Sequence, residues 1–165
     1  MLLGEILHRA VIKTDLEAST KDAAIAELVD LLIEARDLTP NLREAVLHAL
    51  YARERSMSTG MEMGIALPHG TSPGIANLVG ALGISSVGID WQCLDDQPAH
   101  LIMLLVLPRH EFQVHVRTLA GISHLLNEES FRTSLINAPD ADTILKLIRK
   151  EETGSIFNGF RKRFK

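Results

Sequence analysis

Apolar positions recur along this chain at two different periods. Ala24, Ile25, Leu28, Val29, Leu32 and Ala35 return at helical spacing opposite Lys21, Glu27, Asp30 and Glu34. Ser19-Thr20-Lys21-Asp22 ahead of them is a capping sequence, and the helix is expected to end near Asp37. Thr39-Pro40 opens another helix, with a cap residue and a proline at its first position. Leu42, Val46, Ala49 and Leu50 form its buried face, and Arg53 stands at its end. Upstream, Leu2, Leu3, Ile6 and Leu7 predict a short first helix, and Ala10-Val11-Ile12 a brief extended piece.

Other stretches read as strands. Gly64-Ile65-Ala66-Leu67 is small and apolar, and Pro68 ends its ladder by removing a donor and biasing Leu67 away from helix. Leu78–Ile84 is a strand diluted with glycine, which marks close backbone approach or a bulge. Val87, Ile89 and Trp91 alternate with Gly88 and Asp90 as an edge strand would. Leu101–Leu107 is continuously apolar and stopped by Pro108, which predicts a central strand buried on both faces. A helix begins near Val114 and carries Val116, Leu119, Ala120, Ile122 and Leu126. Phe131–Ile136 follows as a short one. Ala138-Pro139-Asp140 caps a last helix whose Ile144, Leu145 and Ile148 face inward. Strands interleaved with helices predict an α/β fold: a mixed β-sheet sandwiched by helices on both faces.

Composition narrows the function classes. The 165 residues are one domain's worth, and 46% hydrophobic with 23% charged residues is ordinary for a globular protein. A net charge of −4 leaves the body no nucleic-acid footprint. Leu101–Leu107, the longest apolar run, is far too short to span a membrane, and no signal peptide is visible at the N-terminus. Cys93 is the one cysteine, which excludes an internal disulfide and fits a reducing compartment. A cytoplasmic location is expected. No Walker-type or dinucleotide-type glycine loop is present, and no cofactor or metal is expected. Asp95-Asp96 reads as a solvated turn.

The chemistry gathers between Tyr51 and Ser72. Ser58, Thr59 and Gly60 carry turn chemistry and supply donors of the kind that surround an anion. Arg53 offers a planar fork for phosphate oxygens, or a cation complementing the end of its helix; the two roles are compatible. His69 emerges after Pro68 with Gly70 behind it. By residue type alone it is a solvated loop histidine; in these surroundings it is a candidate nucleophile. His115 lies in the first turn of its helix, where spacing alone makes it exposed. A His69/His115 metal site would need more ligands than the sequence offers.

Arg53-Glu54, Ser58-Thr59-Gly60 and Gly64-Ile65-Ala66-Leu67-Pro68-His69-Gly70 together resemble the active-site pattern of EIIA domains of the bacterial phosphoenolpyruvate:sugar phosphotransferase system. The likeness is to the fructose/mannitol class, which includes the nitrogen-regulatory EIIA proteins. It extends over about residues 2–152, including Gln97-Pro98 and Leu105-Val106-Leu107-Pro108. The chain departs from the pattern at Glu62, where many relatives have glycine. The resemblance implies that His69 accepts a phosphoryl group from phospho-HPr or an HPr-like donor and passes it to an EIIB acceptor. His115 and Arg53 would flank it, with Ser58, Thr59 and Gly60 binding the phosphoryl group. The alternative it implies is a regulatory switch whose phosphorylation controls binding to target proteins.

The resemblance stops before the tail. Residues 153–165 hold Phe157, Phe160 and Phe164 among Arg161, Lys162, Arg163 and Lys165, reversing the acidic balance of residues 1–152. They are expected either to be a flexible or folded-back terminus, or to dock as a basic-aromatic helix on an acidic partner or an anionic membrane.

Overall fold

The computed structural model describes the backbone of residues 2–110 and 112–163, and the side chains of residues 2–110 and 113–154. After α1 (Leu3–Ile6), a 3-10 turn at Arg9–Val11 leads into β1 (Ile12–Lys13). α2 (Lys21–Glu34) begins where its capping sequence puts it, with the Thr20 hydroxyl accepting the Ala23 amide at 3.3 Å. It stops at Glu34 rather than near Asp37, because Arg36 turns into the left-handed region at φ 66°. Pro40–Leu42 forms a 3-10 turn, and α3 (Arg43–Ser56) follows.

Among the described residues the sheet has five strands, organised on β5 (Ala99–Leu107). β4 (Val79–Ile89) runs antiparallel along one edge of β5, with Leu82 opposite Met103, and β1 lies parallel beyond β4. Along the other edge lie β2 (Ile65–Ala66) and β3 (His69–Thr71), one after the other and both parallel to β5. Ile65 faces Leu101 and His69 faces Leu105 in the same register, so Leu67-Pro68 interrupts the ladder without shifting it. The Pro68 carbonyl still accepts the Leu105 amide at 2.9 Å.

The two strands expected between Leu78 and Trp91 are one. Gly88, at φ 83°, makes the irregularity between Ile84 and Ile89 that lets β4 continue. Trp91 lies past its end and is fully buried. Gly83 is a close approach of the expected kind: a Cβ there would stand 2.7 Å from the Leu16 side chain.

Residues of both parities along β5 are buried, from Leu101 through Leu107, so both faces of the sheet are covered. Full burial of each such leucine contributes about 1.5–3 kcal/mol. α2 packs on α3 and β4, and α3 on β3; α1 and α5 (Glu129–Ile136) pack on α6 (Ala141–Arg163), and α5 also meets β5. α4 (Phe112–Leu126) ends under Arg132, which donates to the Leu126 and Asn127 carbonyls at 2.9 and 2.7 Å. Glu152 accepts the Leu3 and Gly4 amides, tying α6 to the start of α1. α6 carries the tail's backbone on to Arg163, while the side chains of residues 155–165, and with them the expected docking face, lie outside the described residues.

Candidate active site

His69 is the first residue of β3, half-buried, rather than a loop residue beyond a strand end. Its Nδ1 lies 2.8 Å from the Leu67 carbonyl. A carbonyl can only accept, so Nδ1 carries the proton and Nε2 keeps its lone pair. Burial is the main influence on this imidazole and holds its pKa below the ordinary histidine value. The Leu67 carbonyl pulls the other way, the Arg53 charge lowers it further, and the Glu54 charge raises it. The ring is therefore neutral at pH 7, with one nitrogen available to attack an electrophile.

The other residues expected at the site lie on different elements. Arg53 stands in the last turn of α3, and its Nη1 donates to the Met57 carbonyl at 2.8 Å, so the guanidinium serves the helix end while its charge reaches His69. His115 lies on α4, which follows β5, the strand that pairs with β3. Contrary to its spacing it is buried, 6% exposed, and its Nε2 has no hydrogen-bond partner among the described residues. Buried polar nitrogens are almost always paired, so this one is an exception.

Ser58, Thr59 and Gly60, expected to bind the phosphoryl group, make hydrogen bonds within the chain. The Ser58 hydroxyl donates to the Trp91 carbonyl at 2.6 Å and accepts the Gly60 amide at 3.1 Å. Thr59 is buried and turns both its amide and its hydroxyl onto Glu54. The two hydroxyls and the Thr59 and Gly60 amides are thus engaged in shaping the loop. Glu62 is exposed in the turn before β2.

Glu54 was expected only as part of the motif and Lys21 only as part of a helix start, not as partners. The Glu54 carboxylate is 2% exposed and lies 3.2 Å from the Lys21 ammonium. A signal was present: Glu54 is an acid at the C-terminal end of its helix and Lys21 a base at the N-terminal end of its own, each opposed by the local dipole. Among the described residues no group of three or more His, Cys, Asp or Glu side chains could hold a metal ion, and no helix is long and apolar enough to cross a membrane.

Residues 5–151 match the family model described as the phosphoenolpyruvate-dependent sugar phosphotransferase system, EIIA 2. The chain belongs to this EIIA family. It is 34% identical over 152 residues to the fructose-specific EIIABC component of Bacillus subtilis (strain 168), covering 92% of this chain and 24% of that protein. This chain thus spans about a quarter of the Bacillus relative. The fructose-specific EIIA component of Haloferax volcanii is 32% identical over 126 residues, 76% of this chain and 80% of that one. The crystal structure of nitrogen regulatory protein IIA-Ntr from Neisseria meningitidis superposes with a TM-score of 0.80 at 28% identity, covering 88% of this chain and 98% of that one. The resemblance read from the sequence and the α/β architecture expected of this EIIA chain are both found.

Proposed function

We propose that this EIIA chain is a cytoplasmic phosphocarrier in which His69 Nε2 takes a phosphoryl group from phospho-HPr, or an HPr-like donor, and passes it to an EIIB partner. The observation that carries this reading is the Nδ1–Leu67 carbonyl bond, which leaves Nε2 as the free nucleophilic atom. In the transfer the Nε2 lone pair forms the new P–N bond as the donor's bond to phosphorus breaks. Nδ1 keeps its proton, and the Leu67 carbonyl steadies the positive charge that grows on the ring.

Such a transition state is loose, so the protein's contribution is in-line positioning and neutralisation of charge on the equatorial oxygens. Arg53 supplies charge, with only its Nη1 engaged among the described residues. His115 supplies the orphan Nε2 as a partner for a phosphoryl oxygen. Ser58, Thr59 and Gly60 hold the loop that shapes this approach.

Incubation with phosphoenolpyruvate, Enzyme I and HPr should place an acid-labile phosphate on His69, mapped by mass spectrometry. Label persisting in His69→Ala would overturn the assignment. The regulatory reading, in which the phosphorylation state of His69 sets binding to a target protein, is favoured by the nearly full-length match to IIA-Ntr. Onward transfer of the label to a fructose-class EIIB supports the carrier reading; labelling without onward transfer supports the regulatory one.

A further inference from the structure

We propose that the Lys21–Glu54 pair, with its carboxylate buried, is a positioning unit for His69, acting through Thr59 and the Leu67 peptide to hold the imidazole with its proton on Nδ1 and Nε2 presented for reaction. The inference deepens the phosphocarrier reading and rests on it for the transfer step.

The connection is continuous. Lys21 opens α2 and reaches Glu54 Oε1 at 3.2 Å and the Gln92 side-chain oxygen at 2.7 Å. Glu54 Oε1 accepts the Thr59 amide at 3.1 Å, and Oε2 accepts the Thr59 hydroxyl. That hydroxyl in turn accepts the indole N–H of Trp91 at 3.1 Å. The Thr59 carbonyl accepts the Leu67 amide at 3.1 Å. The carbonyl at the other side of Leu67 accepts His69 Nδ1 at 2.8 Å. One carboxylate therefore fixes Thr59, Thr59 fixes Leu67, and Leu67 fixes the ring.

The pair is expensive in isolation. Each charge sits at the unfavourable end of its helix dipole, and Glu54 is almost entirely out of water. Generic packing could be supplied by an apolar pair at lower cost. A charged carboxylate offers what an apolar pair cannot: two oxygens that accept every Thr59 donor, and a negative field that acts on the neighbouring imidazole. Arg53 and Glu54, adjacent on α3, act on His69 with opposite sign. Lys21, 3.2 Å from Glu54, adds a cation whose field on His69 opposes that of the carboxylate.

The test uses the full chain and two substitutions, Glu54→Gln and Lys21→Gln. The readouts are the His69 tautomer and titration by nitrogen-15 NMR, and the rate of label transfer from phospho-HPr. Gln at position 54 turns an N–H₂ toward donors, which breaks the Thr59 anchor and removes the anion. His69 should gain a measurable Nε2–H population and titrate at lower pH than in wild type. Label transfer should fall by about 10²-fold, the loss typical of a misplaced reacting group. Lys21→Gln removes a cation at a partly exposed site and can still donate to Glu54, so the fold should hold and His69 should titrate at higher pH. Opposite shifts from the two variants are what a purely structural role would not produce. Wild-type tautomer and titration in both would overturn the proposal, as would shifts of the same sign. If Glu54→Gln fails to fold, Lys21→Gln decides: an unchanged or lowered His69 titration overturns the proposal. Because the tautomer and titration are read without phosphate, failure of His69 to accept label would strike the phosphocarrier reading separately.

Discussion

Replacing His115 by leucine should slow the protein's chemistry without weakening its fold. The side chain is 6% exposed and its Nε2 has no partner among the described residues. An unsatisfied buried polar atom costs about 1–3 kcal/mol relative to a paired one. Leucine has no polar atom to leave unpaired and fills much of the same space, so that cost is removed while a smaller packing loss of about 1 kcal/mol is incurred. The net expectation is a change between zero and about 2 kcal/mol of added stability, or a rise in Tm of up to ~8 °C for a chain of this size. Over the same substitution, transfer from phospho-HPr should fall by about 10²–10³, the usual loss of one preorganised donor. Urea unfolding followed by circular dichroism measures the first and rapid-quench labelling the second. A loss of more than ~2 kcal/mol would mean that the ring is a structural part of the core. Wild-type transfer with unchanged stability would remove it from the mechanism.

Transfer to His69 should be flat from pH 8 to ordinary histidine values near ~6.5 and fall only below that, because the folded ring is held below its ordinary pKa and stays neutral. The same shift means that the unfolded chain binds this proton more tightly, so the contribution of His69 to stability is complete above ~6.5 and lost as pH falls; a stopped-flow rate profile and acid unfolding check the two. Arg53→Lys keeps a cation but loses the planar fork, and should slow transfer by about 10²-fold with unchanged labelling position, read by mass spectrometry. Gly60→Ala puts a Cβ 2.9 Å from the Cys93 Cα, where backbone must move, and should cost about 1–3 kcal/mol in urea unfolding; an unchanged midpoint would refute the contact.

The local features of this protein were legible because they depend on neighbours in sequence. The capping hydroxyl of Thr20, the apolar stripe of α2 and the continuous apolar run of β5 announce their elements through period and composition alone. Pro68 likewise marks a break ahead of His69, since its missing N–H interrupts any ladder. What packed where was decided by contacts between distant segments. β2 and β3 keep a common register across that break because both lie against β5. His115 has the spacing of a surface residue and is buried by what α4 packs against, which no helical period reports. The hydroxyl of Ser58 and the donors of Thr59 looked free in a turn-rich stretch, and are taken up by the Trp91 carbonyl and Glu54, which meet them only in the folded chain. Lys21 and Glu54 are each unfavourable on their own helix; only the packing of α2 on α3 makes them a pair. A sequence carries the period of each face, and the partner of each buried polar group is a property of the fold.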